Sequence, residues 1–309
     1  MRPWHNNWQA AENFKTMKLA STFIVASLCL ITAVNAQPVF TSAQVPTGGS
    51  VLTFGSATIP AAFQLNAGPS QTWNFNNVNS DGTLTLEYLS PAMVPAAESV
   101  EGCNLVMKTS YDMSSESDYE FNLISNGAWS TLATSTTPDA VEEYYESSDT
   151  LFQLPLNAQS DYSTSSYYSS TYYVGAPEMD SSRYVSRSTT RNQVDAWGTL
   201  NINGIPYSVL KLRQTSTSVD STYNYANGVW TFQDTYTSED VSHMFVSPEA
   251  GGIVMVISEY EDEFGQNQWF VFYMLSKSIT GISTVTEASD FAMYPNPASS
   301  VVTVSCSNL

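Results

Sequence analysis

"GTLNINGIPYSVLKLRQT", Gly198 to Thr215, is the stretch whose reading decides the fold. Asn203-Gly204 at its centre supplies two residues that tolerate positive φ, the requirement of a two-residue hairpin turn. Leu200 and Ile202 lead into the turn, and Leu210 and Leu212 leave it at the same period of two, with Lys211 and Arg213 on the opposite face. The stretch therefore reads as a β-hairpin with one apolar face and one wet face.

The same chemistry recurs outward from it. Asp81-Gly82, Asn126-Gly127 and Asn227-Gly228 each sit between alternating segments, such as Leu84, Leu86 and Tyr88 after the first, or Tyr223 and Tyr225 before the last and Trp230 and Phe232 after it. Four such turns predict an antiparallel meander. "GGIVMVISEY" (Gly251–Tyr260) and "QWFVFYML" (Gln268–Leu275) are nearly continuous apolar runs and read as central strands covered on both faces, joined by the acidic turn "EDEFGQN". No window keeps a helical period. The expected fold is all-β, an antiparallel sandwich or curled sheet spanning residues 37–277.

Between Asp161 and Thr190 the chain is rich in Ser and Tyr. Aromatic residues favour strands over disorder, so this segment reads as a hairpin with a polar outer face, and Tyr167, Tyr168, Tyr172 and Tyr173 form its candidate ligand face. A polar connector without aromatics follows the sheet, with a linker expected at 278–290.

The N-terminus carries a targeting pattern. From Met17 a basic Lys18 precedes an apolar run from Leu19 to Val34, and small Ala36 suits cleavage, so 17–36 reads as a secretory signal peptide. The run is too short to span a bilayer, and no later segment approaches that length. Residues 1–16, with Trp, His and Asn, fit no signal-peptide start and read as a non-native upstream extension. The expected location is therefore secreted or at the cell surface, after cleavage near Ala36. Removing 1–36 takes out Arg2, Lys15, Lys18 and Glu12 and leaves 7 basic against 28 acidic residues. Such a net charge repels phosphate backbones and argues against nucleic acid as a partner. Cys103 and Cys306 are too far apart in sequence to make a disulfide framework.

Motifs for chemistry are few. His243 is the only histidine after Ala36, which excludes His-rich zinc sites, and no H-E-x-x-H, G-x-S-x-G or phosphate-cradling glycine pattern occurs. His243 reads as a half-buried strand residue. No catalytic or metal-ligating set is assigned. Asn77, Asn79 and Asp81 have the oxygen spacing of the first half of a calcium loop, but Tyr88 stands where the closing Glu belongs, so calcium is only a weak candidate and a hairpin turn is the simpler reading. Paired carboxylates at Glu142, Glu143 and Glu146, and at Glu259, Glu261, Asp262 and Glu263, could serve a glycoside hydrolase, although solvated strand faces are the usual place for such residues. Trp73, Trp129, Trp197, Trp230 and Trp269 could stack on sugars or fill a core.

The stretch "TGISTVTEASDFAMYPNPASSVVTVSCSNL", Thr280 to Leu309, resembles the start of the C-terminal sorting domain of proteins exported by the type IX secretion system. The matching positions are Phe291, Met293, Tyr294, Pro295, Asn296, Pro297 and Ala298, followed by Val301, Val302 and Val304. The resemblance implies recognition by the outer-membrane type IX translocon. Residues 291–309 would then be the first strand of a truncated β-sandwich sorting domain, since the family's domain continues for several dozen residues with a basic final strand. A looser resemblance, carried by "QTWNFNNV" (Gln71–Val78), "YLSPAMVPAAESVEGCNLVM", "DTLFQLPLNAQSDYS" and "NQVDAWGTLNINGIPYSVLKLRQT", is to a β-rich module of uncharacterised activity that precedes such sorting domains. Together these imply a non-enzymatic secreted or cell-surface module that binds a glycan or a protein. The alternatives are a secreted carbohydrate-active hydrolase and a structural spacer.

Overall fold

The Asn203-Gly204 turn forms as its residue types dictate, with φ of 48° and 88°, and Ile202 faces Ile205 across it. Asn227-Gly228 repeats the geometry with φ of 52° and 81°, pairing Ala226 with Val229. The computed structural model containing these turns describes residues 37–60, 65–76, 78–112, 114, 116–141, 143–176, 179–261, 267–279, 291–294 and 303–306. Its strands are β1 (Ser50–Pro60), β2 (Gly68–Phe75), β3 (Gly82–Leu89), β4 (Leu105–Tyr111), β5 (Ser117–Ile124), β6 (Ala128–Ser135), β7 (Glu143–Gln153), β8 (Asp161–Ala176), β9 (Met179–Ile202), β10 (Ile205–Ala226), β11 (Val229–Ser247), β12 (Gly252–Glu261), β13 (Asn267–Ile279), β14 (Phe291–Tyr294) and β15 (Thr303–Cys306). Only short 3-10 turns interrupt them among the described residues.

The fold is all-β, and thirteen strands form one curled sheet in the order β10-β11-β12-β13-β1-β3-β4-β5-β6-β7-β8-β9-β2. Because β9 also pairs with β10, the order returns on itself. Its thinnest seam lies between β7 and β8, where Ser147 faces Tyr167. All pairings are antiparallel except β2 with β9. The second and third strands therefore do not form a hairpin, and Asp81-Gly82 is not the tight turn that its residues suggest. Instead the Asp81 N–H donates to the Ser56 carbonyl at 2.7 Å, and Gly82 enters β3 opposite Ser56. Asn126-Gly127 does join a hairpin, β5 to β6, closed by Ser125 N–H on the Ala128 carbonyl at 2.9 Å.

Strand β9 changes partner along its length. Residues up to Gln193 pair with β8, and residues from Ala196 pair with β2. Between them Asp195 is the extra residue of a bulge, since Lys211 faces Ala196 while Leu212 faces Val194. Parallel β2 lies so close to β9 that a side chain at Gly198 has no room: its Cβ would sit 2.0 Å from the Gln71 carbonyl oxygen. Polar side chains then lock the hairpin tip to β2 and the residues after it. Asn201 donates to Asn74 Oδ1 at 2.7 Å, Gly204 N–H to Asn76 Oδ1 at 3.0 Å, and Asn203 Nδ2 to the Val78 carbonyl at 3.3 Å.

This docking buries what the alternation presents as a wet face. Lys211, only 1% exposed, donates to Asp195 Oδ2 at 3.1 Å and to the Leu65 carbonyl at 2.9 Å, so the expected solvent position is a covered ion pair, while Arg213 stays exposed. The cover is β2 and the chain before it, and the Trp73 ring meets Phe245 edge-on with centroids 5.1 Å apart. Beneath, Met255, Ile257, Val271 and Tyr273 are buried on one face of β12 and β13, while Val256, Phe270 and Phe272 on the other are half-buried, so the cover expected on both faces is full on one alone. A second cluster, Val94, Val106, Phe121 and Ala133, fills the other face of β4–β6 under the 3-10 turns at Pro91–Met93 and Pro95–Ser99.

The single strand expected in 291–309 is not alone. Phe291 to Tyr294 pairs antiparallel with Thr303 to Cys306 in a separate two-stranded sheet. Pro295, Asn296 and Pro297 lie outside the described residues, as do residues 1–36 and 280–290.

Two substitutions test this packing. Gly198→Ala is expected to cost about 1–3 kcal/mol or more by prying β2 from β9, read as a lower urea midpoint. Asp195→Ala should cost roughly 3–5 kcal/mol by stranding the buried Lys211 ammonium, and adding Lys211→Met should restore part of that loss; equal stability of the single and double variants would contradict the pairing.

Candidate functional site

The long strands β8–β11 extend beyond the packed part of the sheet as a four-stranded ribbon, and residues paired across such a ladder share a face. The ribbon's two faces differ in chemistry.

On one face Tyr167, Arg187 and Val219 are neighbours across β8, β9 and β10, and Thr171, Arg183, Tyr223 and Phe232 continue across to β11. Tyr167, Arg183, Val185, Arg187, Tyr223, Trp230 and Phe232 surround an open pocket of about 440 Å³. Cross-strand aromatic pairs build its floor: the Tyr223 and Phe232 rings meet edge-on at 5.7 Å, and Tyr225 lies 5.0 Å from Trp230. The Arg183 guanidinium sits over the Trp230 ring at 4.2 Å and that of Arg187 over Tyr167 at 5.1 Å, both within cation–π range. Arg183 Nε donates to Thr171 Oγ1 at 3.1 Å. With no second layer over them, Phe232 and Tyr173 remain 53% and 82% exposed.

The four candidate tyrosines do not share one face, because neighbours in a strand point to opposite sides. Tyr167 and Tyr173 belong to the arginine-bearing face. Tyr168 and Tyr172 belong to the other, where the Tyr168 ring lies 6.1 Å from Tyr184. Sequence reasoning named Trp230 as a possible sugar-stacking residue but did not join it to Tyr167, and it missed Arg183 and Arg187 as partners. The signal was present as Arg183, Arg187 and Arg191 at a spacing of four, which keeps all three on one side of a strand.

The opposite face turns inward lower down and lines a polar cavity of about 360 Å³. On one wall Gln214 bridges Asn192 Oδ1 at 2.6 Å and Ser242 Oγ at 3.2 Å. On the facing wall Asn122 Oδ1 accepts from Trp129 Nε1 at 3.0 Å and from Thr131 at 3.1 Å. Glu120, Asp149 and Asp240 also line it. Burial, with smaller contributions from the charges of Asp149 and Asp118, pushes the Glu120 carboxyl up to about 7 against a hydrogen bond from Thr131 that lowers it, and burial also raises Asp149. Along the ribbon this face carries Asp220, Asp234 and Asp240, while Arg183, Arg187, Arg191 and Arg213 all lie on the other.

Elsewhere the candidates resolve into structure. His243 is buried on β11 with Nε2 3.2 Å from Glu259 Oε1, and burial first, then the Lys211 charge, holds its imidazolium below the usual histidine range. That contact occupies Glu259. Glu142, Asp262 and Glu263 lie outside the described residues, as do the side chains of Glu143, Glu146 and Glu261. Trp73, Trp129 and Trp269 are core residues. Asn77 is outside the described residues, Asp81 Oδ2 accepts a backbone N–H from Thr58 at 3.4 Å, and among the described residues no group of three or more acidic, His or Cys side chains could hold a metal ion. No helix of the described residues is long and apolar enough to cross a membrane.

Because the folded-state carboxyl of Glu120 is raised above its ordinary 4.5, its contribution to stability is present below that pH and is lost as pH rises through about 7. Glu120→Gln should therefore gain roughly 1–3 kcal/mol on the wild type between pH 5 and pH 8 in urea titrations; parallel pH profiles would count against a buried, protonated Glu120. No family model matches the chain, and no curated protein or solved structure shows significant similarity to it.

Proposed function

We propose that the chain is an exported, non-catalytic module that binds a glycan on the open aromatic face of the β8–β11 ribbon. The observation that carries this reading is the row of Tyr167, Tyr223, Trp230 and Phe232 around one open pocket, with Phe232 53% exposed and the other three half-buried. Flat apolar rings take up the C–H faces of sugar rings, and rigid aromatic side chains lose little entropy on binding. Neighbouring hydroxyls and guanidinium groups add directional donors. Export by the type IX route rests on the signal-peptide pattern of 17–36 and on the resemblance of Phe291–Pro297 to a sorting domain; the partner there would be the outer-membrane translocon.

A second reading has one observation in its favour. Glu120 and Asp149 border a common cavity, and a carboxyl held protonated near neutrality is the property of a general acid. On that reading the protein is a carbohydrate-active hydrolase using these two residues in place of the carboxylate runs that the sequence offers.

Retention on a glycan array separates the readings. The wild type should hold a polysaccharide without releasing reducing ends, and Trp230→Ala should weaken retention at least tenfold with the melting temperature little changed. Release of reducing ends that Glu120→Gln abolishes would establish the hydrolase instead. No retention and no turnover on any glycan would leave the module a structural spacer.

A further inference from the structure

The arginines of the ribbon stand in a protein of formal net charge −19. Among the described residues Arg183, Arg187, Arg191 and Arg213 are all of the arginines, and the pairing of β9 with β10 places every one on a single face. One of them shows how this face takes an anion. Arg191 holds Asp161 in a two-pronged contact, Nη2 to Oδ2 at 2.8 Å and Nε to Oδ1 at 3.1 Å, the planar match of guanidinium to carboxylate. Asp161 lies on β8 two residues from Ser163, which faces Arg191. The same offset from Tyr167, which faces Arg187, gives Ser165. From Thr171, which faces Arg183, it gives Ser169. The carboxylate that completes the arrangement at Arg191 is thus replaced by serine at the other two, and neither Arg183 nor Arg187 has an ion pair among the described residues. Their guanidinium groups are nevertheless held in place by stacking on Trp230 and Tyr167. A stacked guanidinium keeps its donors in plane and free to bind an anion at the edge.

We propose, resting on the glycan reading above, that Arg183 and Arg187 make this face selective for an acidic polysaccharide, with sugar rings on Tyr223, Trp230 and Phe232 and the sugars' carboxylate or sulfate groups on the two guanidinium planes. The rest of the molecule sharpens that selection, because its excess of carboxylates repels a polyanion, whereas this face sets four arginines against Glu239 and an Asp161 already held by Arg191.

The test measures binding of the full chain to polygalacturonate, dextran sulfate, neutral dextran and single-stranded DNA by isothermal titration at 50 and 300 mM salt. At least one of the two acidic polysaccharides should bind ten times or more tighter than dextran and weaken with salt, and which of the two prevails identifies carboxylate or sulfate as the recognised group. Arg183→Gln with Arg187→Gln should remove that preference while leaving the weaker dextran binding in place, and Arg213→Gln, on the same face nearer the packed sheet, should retain it. Should the double variant melt early, Arg183→Lys with Arg187→Lys gives the check: charge is kept, the planar fork is lost, and affinity should fall by an intermediate factor. Equal binding of acidic and neutral polymers overturns acid selectivity but leaves the glycan reading intact. Tighter binding of DNA than of either polysaccharide overturns the choice of ligand. No binding to any polysaccharide overturns both.

Discussion

Strand β9 has to satisfy three neighbours, and the structure depends on how it does so. It pairs with β10 along its length, with β8 over one half and with β2 over the other, and it changes from β8 to β2 at a single extra residue, Asp195. An unpaired residue in a ladder turns its side chain away from the regular alternation. Here the turn brings a carboxylate to a lysine that β2 has just buried, so the device that re-routes the pairing also neutralises the charge it traps. Without that neutralisation β2 could not lie over Lys211, and without the Trp73 and Phe75 of β2 the Phe245 ring would face water.

The bulge also divides the sheet into two regimes. Below it, the sheet closes on an apolar core and the chain is held by apolar burial. Above it, β8–β11 run on without cover and are held by the ladder itself and by side-chain pairs across it: Ser166 with Ser188 at 2.6 Å, Ser218 with Ser238 at 2.8 Å and Thr190 with Ser216 at 3.0 Å on one face, rings and guanidinium groups on the other. Serine and threonine stabilise a strand without a core to bury. That is the physical sense of the Ser/Tyr-rich composition, which suits strands whose faces are both wet, and it leaves aromatic groups available to a ligand.

Much of this architecture is legible in the residues, and the exceptions share a cause. Turn chemistry and period-two alternation are local, so the β9–β10 and β10–β11 hairpins follow from them, and the apolar runs mark β12 and β13 as strands. Parallel pairing of β2 with a strand more than 120 residues away leaves no local mark, and hence neither the role of Asp81-Gly82 nor the burial of Lys211 can be read from alternation. The same limit hides the cavity. Glu120 alternates with Phe121 as any solvent-facing residue would, and only the curl of the sheet carries Asn192 and Gln214 opposite it. The aromatic run was visible as composition, but counting alternation along β8 already divides Tyr167 and Tyr173 from Tyr168 and Tyr172.

With four arginines against Asp161 and Glu239 on one side of the ribbon and Asp220, Asp234 and Asp240 on the other, the sheet carries an electric dipole directed through its own thickness. Any charged surface that the molecule approaches exerts a torque on it before contact, over the roughly 8–10 Å that ionic screening allows. The orientation of first encounter is thereby biased toward the one presented by the rings, so a protein whose total charge repels anions can still meet them with its receptive side forward.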